Sequence, residues 1–181
     1  MPGFKKLGEK LLFAGHHISM AEGEYEAPNG TRFQRDIVHH PGAVSVVPVL
    51  DDGRVVMVRQ YRSPINMDVL EIPAGKRDVE GEDAVITAHR ELAEEVGYEA
   101  GSMELLVEFY NSPGFCDEHS WAYLATDLRP CAVAPVGAEE EAMEIVPVAL
   151  DAVPRLIASR ELVDAKSIIA LLLARERLSE R

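Results

Sequence analysis

The 181-residue chain has little cysteine, no long apolar run and a shortage of positive charge, and each deficit closes off a class of function. Its two cysteines, Cys116 and Cys131, are too few for a disulfide framework and lack a zinc spacing, so ordinary reduced thiols are expected. No apolar stretch approaches the ~20 residues of a membrane span. The N-terminal KKLGEKLLFAG offers five uncharged residues after Lys10, too few for a signal-peptide core, and a cytoplasmic protein is expected. Eighteen Lys and Arg stand against 31 Asp and Glu with no basic cluster, which argues against nucleic acid or an anionic membrane as partner. A phosphate-bearing ligand must then have its charge compensated locally. Repeats, low-complexity tracts and Ser/Gly linkers are missing too, and 47% hydrophobic content suits a single domain over 1–181.

What is present reads as strands interspersed with a few helices. TRFQRDIVHH and GAVSVVPVL are β-branched runs, and the DDG at 51–53 turns the second into RVVMVRQYR as a predicted hairpin. MDVLEIPAG reads as a short strand halted by Pro73 and Gly75. From Asp83 to Val96 the apolar Val85, Ala88, Leu92 and Val96 recur at spacings of three and four, which predicts a helix with Gly97 at its C-cap. MELLVEFY and SWAYLATDL flank the loop NSPGFCDEH as further strands, and EIVPVAL follows the acidic GAEEEAME. Two helices close the chain, one from near Asp151 that tolerates Pro154 early, and DAKSIIALLLARERL with Asp164 as N-cap. The pattern predicts an α/β fold with a mixed sheet between helical layers.

The helix stretch RELAEEVG is chemically odd. On a helical wheel Glu91 and Glu95 lie about 40° apart, and Glu94 falls about 60° to the other side of Glu91. A like-charge pair at i,i+4 costs a helix roughly 0.2–0.5 kcal/mol. Read alone, three carboxylates on one face suit solvent. The residues upstream change that reading: Gly75, six residues, Glu82, seven residues, then Arg90-Glu91-Leu92-x-Glu94-Glu95-Val96-Gly97-Tyr98. This resembles the Nudix box, with a first spacing one residue longer than usual.

The resemblance implies a Nudix fold, an α-β-α sandwich with a mixed β-sheet. It also implies hydrolysis of a nucleoside diphosphate linked to another group. A diphosphate cannot approach bare carboxylates, whereas Mg²⁺, or Mn²⁺ in its place, takes hard oxygen ligands and bridges to phosphate oxygens. By resemblance Glu91 and Glu95 are metal ligands, Glu94 is a ligand or its neighbour, and the main-chain carbonyl of Ala74 completes the set. Gly75 lies against the substrate, while Glu82, Arg90 and Gly97 hold loop and helix together.

Pro113 in SPGFCDE, with GAVSVVPVLDDGRVVMVRQYRSP, LEIPAGKRD and LVDAKSIIALLLA, is similar to the ADP-ribose pyrophosphatase subgroup. That likeness implies a nucleoside diphosphate sugar as substrate, and AMP and ribose 5-phosphate as products. Arg62 would meet the pyrophosphate with its fork and Glu118 the terminal ribose, while Arg35 and His39 would reach the adenine of a partner subunit. Residues of about 1–40 would be dimer-forming N-terminal strands, and about 41–181 the catalytic core of a homodimer. The subgroup takes its base from a loop matching GAEEEAMEI, where Glu141 is the first choice, as base or extra metal ligand, and Glu139 the second. Glu140 is one register away, and Glu95 joins the catalytic groups through the metal. Another nucleotide sugar, an oxidised nucleoside diphosphate, a dinucleotide and a non-catalytic Nudix ligand sensor remain as alternatives.

Overall fold

The computed structural model describes residues 3–133 and 138–180, the side chains of 138 and 139 excepted. Strand β1 (Lys5–Ala14) pairs antiparallel with β2 (Ser19–Glu26), and β2 with β3 (Arg32–His39), in a sheet ordered β1-β2-β3. The β2–β3 turn is made by Pro28, Asn29 and Gly30. Asn29 Oδ1 accepts from Thr31 N at 3.0 Å, and Gly30 adopts φ 81°, a left-handed conformation open to glycine. Across the pair, Tyr25 stacks on Phe33 with ring centroids 5.5 Å apart. β1 is exposed along its whole length, so neither of its faces is buried within the chain. These strands belong to a compact unit of Met1–Gly42 with Phe109–His119.

The second unit, Ala43–Glu108 with Ser120–Arg181, holds two sheets. One is mixed and ordered β7-β4-β9-β8, from β4 (Ala43–Pro48), β7 (Ala74–Lys76), β8 (Tyr98–Tyr110) and β9 (His119–Pro130). Here β4 runs parallel to β9 and antiparallel to β7. The other is antiparallel, β10-β5-β6, from β5 (Arg54–Arg62), β6 (Met67–Glu71) and β10 (Glu144–Ala149). The predicted β4–β5 hairpin is therefore only a corner. The strands meet at the single bridge Val49–Val55 and part into different sheets, because both edges of β4 are already taken by β7 and β9. MDVLEIPAG likewise splits, with β6 joining one sheet and β7 the other on either side of Ile72-Pro73, where proline offers no N–H to a ladder.

Helix α1 (Ala84–Val96) lays Ala88, Leu92 and Val96 on Val44 and Val46 of β4, Val56 and Val58 of β5, and Tyr123 and Ala125 of β9. A short α2 (Ala138–Glu141) precedes β10. A 3₁₀ turn at Leu150–Ala152 leads into α3 (Val153–Ala158), whose Pro154 sits in the first turn, where no helical N–H is lost. In α4 (Ala165–Ser179), the N-cap Asp164 accepts from Ser167 N at 3.0 Å. Both α1 and α4 pack on β4, which is buried on both faces from Val44 to Pro48, and the result is an α-β-α sandwich. Among the described residues no helix is long and apolar enough to cross a membrane.

Leu92, fully buried at the centre of this packing, is the residue whose truncation should be felt most. Leu92→Ala is expected to lower unfolding stability by about 2–5 kcal/mol in urea titrations, and a loss below about 1 kcal/mol would contradict the packing described.

Candidate active site

The buried stripe of α1 contains Glu91 and Glu95 beside Leu92 and Val96, with the two glutamates only 8% and 7% exposed. Two features of the neighbouring strand accommodate them. Gly75 lies against Glu91 so closely that a Cβ there would stand 1.9 Å from the carboxyl carbon, so no other residue fits without expelling that carboxylate. One residue earlier, the N–H of Ala74 donates to Glu95 Oε2 at 2.9 Å, which brings the Ala74 main chain to the same place. At the helix end Gly97 turns left-handed at φ 71° and donates back to Ala93 O at 3.1 Å.

Arg90 gathers the rest of the acidic face. Its Nη1 lies 2.9 Å from Glu91 and 3.2 Å from Glu94, and its Nη2 lies 3.3 Å from Asp78 and 3.7 Å from Glu82. Glu82 also accepts from the Thr87 hydroxyl at 2.7 Å, and its carbonyl from Arg77 at 2.6 Å. Glu82 and Arg90 thus fasten the 76–83 loop onto the first turns of α1.

Burial dominates the electrostatics. It pushes Glu91 up to about 7, with Glu94 and Glu140 adding to the rise and Arg90 opposing it. It pushes Glu95 up to about 8, where the Ala74 N–H and Arg62 oppose the shift and Glu91 and Glu140 add to it. Among the described side chains of the acidic run after residue 137, Glu140 is the one whose charge reaches both buried carboxylates. Glu141 is exposed, and the side chain of Glu139 lies outside the described residues. Among the described residues no three His, Cys, Asp or Glu side chains already converge as metal ligands do. The donors still fit a hard divalent cation. Two buried carboxylates share one spot with the Ala74 main chain, a Cβ-free cradle makes room for one of them, and their charge is only partly offset by Arg90 and Arg62.

Arg62 lies at the end of β5 and grips the fully buried Glu71, Nε to Oε1 at 2.6 Å and Nη2 to Oε2 at 2.5 Å. Lys166 of α4 binds the same carboxylate and also Asp164, at 3.0 Å. Burial disfavours the Glu71 charge, but the Arg62 fork and Lys166 outweigh it, and the carboxyl stays below the ordinary range. Glu71 and Lys166 lie in stretches that carry the resemblance, LEIPAGKRD and LVDAKSIIALLLA, but neither has an expected role from sequence. No periodicity links charges 95 positions apart; the only signal was an acidic residue in an otherwise apolar strand end.

The remaining candidates belong to the first unit. Arg35 and His39 line a cavity of about 440 Å³, together with Tyr25, Tyr110, Phe115 and Asp117. The Arg35 guanidinium lies 4.6 Å from the Phe33 ring centre and donates to Gln34 O at 2.7 Å. His39 stands between two carboxylates, Nδ1 at 2.5 Å from Asp117 and Nε2 at 2.8 Å from Glu9. Only the imidazolium can donate to both, and the Asp117 and Glu9 bonds raise its pKa. Neither ring nitrogen is left for a ligand. Glu118, half-buried, immediately precedes β9, and Pro113 also lines the cavity.

Residues 39–168 match the model of the NUDIX domain, and the chain belongs to the Nudix family. It is 40% identical over 167 residues to the ADP-ribose pyrophosphatase of Bacillus subtilis (strain 168), covering 92% of this chain and 90% of that protein. It is 39% identical, with the same coverage, to the methanol dehydrogenase activator of Bacillus methanolicus. The crystal structure of an ADP compounds hydrolase superposes with TM-score 0.86 over 99% of this chain and 96% of that one; at 24% identity this shows a shared fold.

The raised carboxyls have a consequence for stability. Both folded-state values exceed the ordinary 4.5, so between pH 4.5 and about 8 the metal-free folded chain holds more protons than the unfolded chain. Their contribution to stability therefore falls as pH rises through that window and levels off above it. In EDTA, the melting temperature of Glu95→Gln relative to wild type should rise between about pH 5 and pH 8; a constant difference would show that Glu95 ionises without penalty.

Proposed function

We propose that the chain hydrolyses the pyrophosphate bond of ADP-ribose, giving AMP and ribose 5-phosphate, in a divalent-metal-dependent reaction. The observation that carries this is the pair of buried, charge-deficient carboxylates on the Gly75 and Ala74 segment, in a chain 40% identical to a named ADP-ribose pyrophosphatase. Glu91, Glu95 and the Ala74 carbonyl would hold Mg²⁺, with Mn²⁺ as a substitute and Glu94 close by. When bound, the ion supplies positive charge for the diphosphate oxygens and acidifies the attacking water. Gly75 keeps the approach to these donors clear, and Glu82, Arg90 and Gly97 hold the helix in place. Arg62 binds the diphosphate, Glu118 accepts from ribose hydroxyls, and Arg35 reaches the adenine bound by a partner subunit. His39 serves that contact by holding Asp117.

A water oxygen attacks phosphorus and the bridging P–O bond breaks, so one proton must leave the water. We assign its acceptor to Glu140, whose charge reaches both Glu91 and Glu95, in preference to the exposed Glu141. The free thiols Cys116 and Cys131 support a reducing, cytoplasmic setting. A second reading, action on a different nucleoside diphosphate derivative, draws support from the equally similar relative that carries a different name.

With Mg²⁺ the purified protein should release AMP from ADP-ribose with a higher kcat/KM than from other nucleotide sugars, dinucleotides or oxidised nucleotides; a different leader in that series selects the second reading. Glu95→Gln should abolish turnover. Glu140→Gln should lower kcat by about 10²–10⁴-fold while Glu141→Gln stays near wild type, and the reverse ranking would move the base to Glu141.

We also propose that the chain acts as one catalytic domain in a homodimer formed through its N-terminal strands. β1 is an edge strand, and Phe4, Leu11 and Phe13 on or beside it are 57%, 60% and 62% exposed, which is costly for a monomer. Light scattering should give twice the chain mass, and Leu11→Glu with Phe13→Glu should return it to one; a monomeric wild type would exclude the assembly.

A further inference from the structure

Glu71 is charged, fully buried and outside the set of metal-binding carboxylates, so its ion pairs call for an explanation beyond packing. It faces two cations from two different elements, Arg62 of β5 and Lys166 of α4. A buried ion pair rarely adds stability over well-packed apolar residues. The geometry of the contact is specific. Glu71 takes the Nε and Nη2 edge of the guanidinium, so of the five N–H donors the two on Nη1 and the second on Nη2 are left over. Those three form a second fork, and Nη1 makes no hydrogen bond among the described residues. The Arg62 side chain keeps 38% of its surface exposed against 2% for Glu71, so the guanidinium is held on one side and open on another.

The same network reaches the strand that lines the site. Asp164 accepts from Lys166 at 3.0 Å and from the Ser167 hydroxyl at 2.5 Å, and Ser167 Oγ in turn accepts from Ile72 N at 2.9 Å. Ile72 lies two residues before Ala74, whose N–H binds Glu95. The Arg62 charge is also close enough to Glu95 for the two to act on each other.

We propose that Glu71 and Lys166 are positioning residues: Lys166 neutralises and fixes Glu71, and Glu71 holds Arg62 side-on so that its Nη1/Nη2 fork faces the diphosphate of the substrate beside Glu95. This rests on the reading of the site as one for a nucleoside diphosphate derivative. An unrestrained arginine would lose rotamer freedom on binding, whereas a clamped one has lost it already.

The test is a double-mutant cycle of Arg62→Ala with Glu71→Gln, read as KM and kcat on the best substrate found in the series above and as Kd for ADP by calorimetry. Circular dichroism and melting temperature serve as controls of the fold. If Glu71 acts through Arg62, Glu71→Gln raises KM and Kd at least about tenfold with a smaller change in kcat, and changes them less than about twofold in the Arg62→Ala background. Lys166→Met, which keeps the apolar stem, should show the same pattern at reduced size and takes over the cycle if Glu71→Gln does not fold. Effects that multiply with those of Arg62→Ala, or a variant that binds ADP as wild type does, would overturn the proposal while leaving the activity reading intact. A wild type that neither turns over nor binds any nucleoside diphosphate would overturn both.

Discussion

Everything in the second unit that bears on chemistry depends on one contact, the docking of the acidic face of α1 onto the three-residue strand β7. A helix normally turns its charges to water and its apolar stripe to the sheet. Here Glu91 and Glu95 follow the apolar stripe inward, and the sheet receives them with a glycine and a backbone N–H instead of a side chain. Ionised carboxylates in that position are held against their solvation, which is why both acids are weak. The cost is met by the large apolar contact of Ala88, Leu92 and Val96 on the same helix, which fixes the depth at which the carboxylates sit. On the proposed reading, a divalent metal ion would supply the charge that the protein itself withholds.

The strand is as constrained as the helix. Segment 72–76 crosses from one sheet to the other, and each of its neighbours is tied down: Glu71 by two cations, Ile72 by Ser167, Ala74 by Glu95, and β7 itself by β4. Helix α4 thus ties down this segment through Lys166 and Ser167. Its N-cap Asp164 both starts the helix and organises Lys166 and Ser167 toward the strand.

Much of this was legible in the sequence wherever a local rule operated. The spacing of Val85, Ala88, Leu92 and Val96 gave α1 nearly to the residue, with Gly97 as its cap and Asp164 as that of α4, because periodicity and caps act within a few positions. The family followed from the box, and residues 39–168 match it. Strand partnership was less accessible. GAVSVVPVL and RVVMVRQYR look like a hairpin, but the distant β9 wins the edge of β4 through a parallel register that no turn announces. Strand β1 was expected only through the family resemblance, which put strands in about 1–40, and not from its own residue pattern, because none of its faces is buried within the chain. The family resemblance gave roles to Arg62 and His39, but sequence could not show that Glu71 holds the first and that Glu9 and Asp117 enclose the second. Ion pairs between residues tens of positions apart leave no period in the chain. Nor does a run of three glutamates reveal which one turns inward; burial distinguishes Glu140 from Glu141.

The trio of His39, Asp117 and Glu9 bears on ion selectivity. An imidazole flanked by two carboxylates is also the residue set from which zinc and copper sites are made, and a transition metal needs the lone pair of the neutral ring. Here the two carboxylates favour the protonated ring, and its N–H groups point at the oxygens a metal would use. With each ring nitrogen already bound to a carboxylate oxygen, the trio is closed by its own hydrogen bonds and offers a soft or borderline metal no free nitrogen.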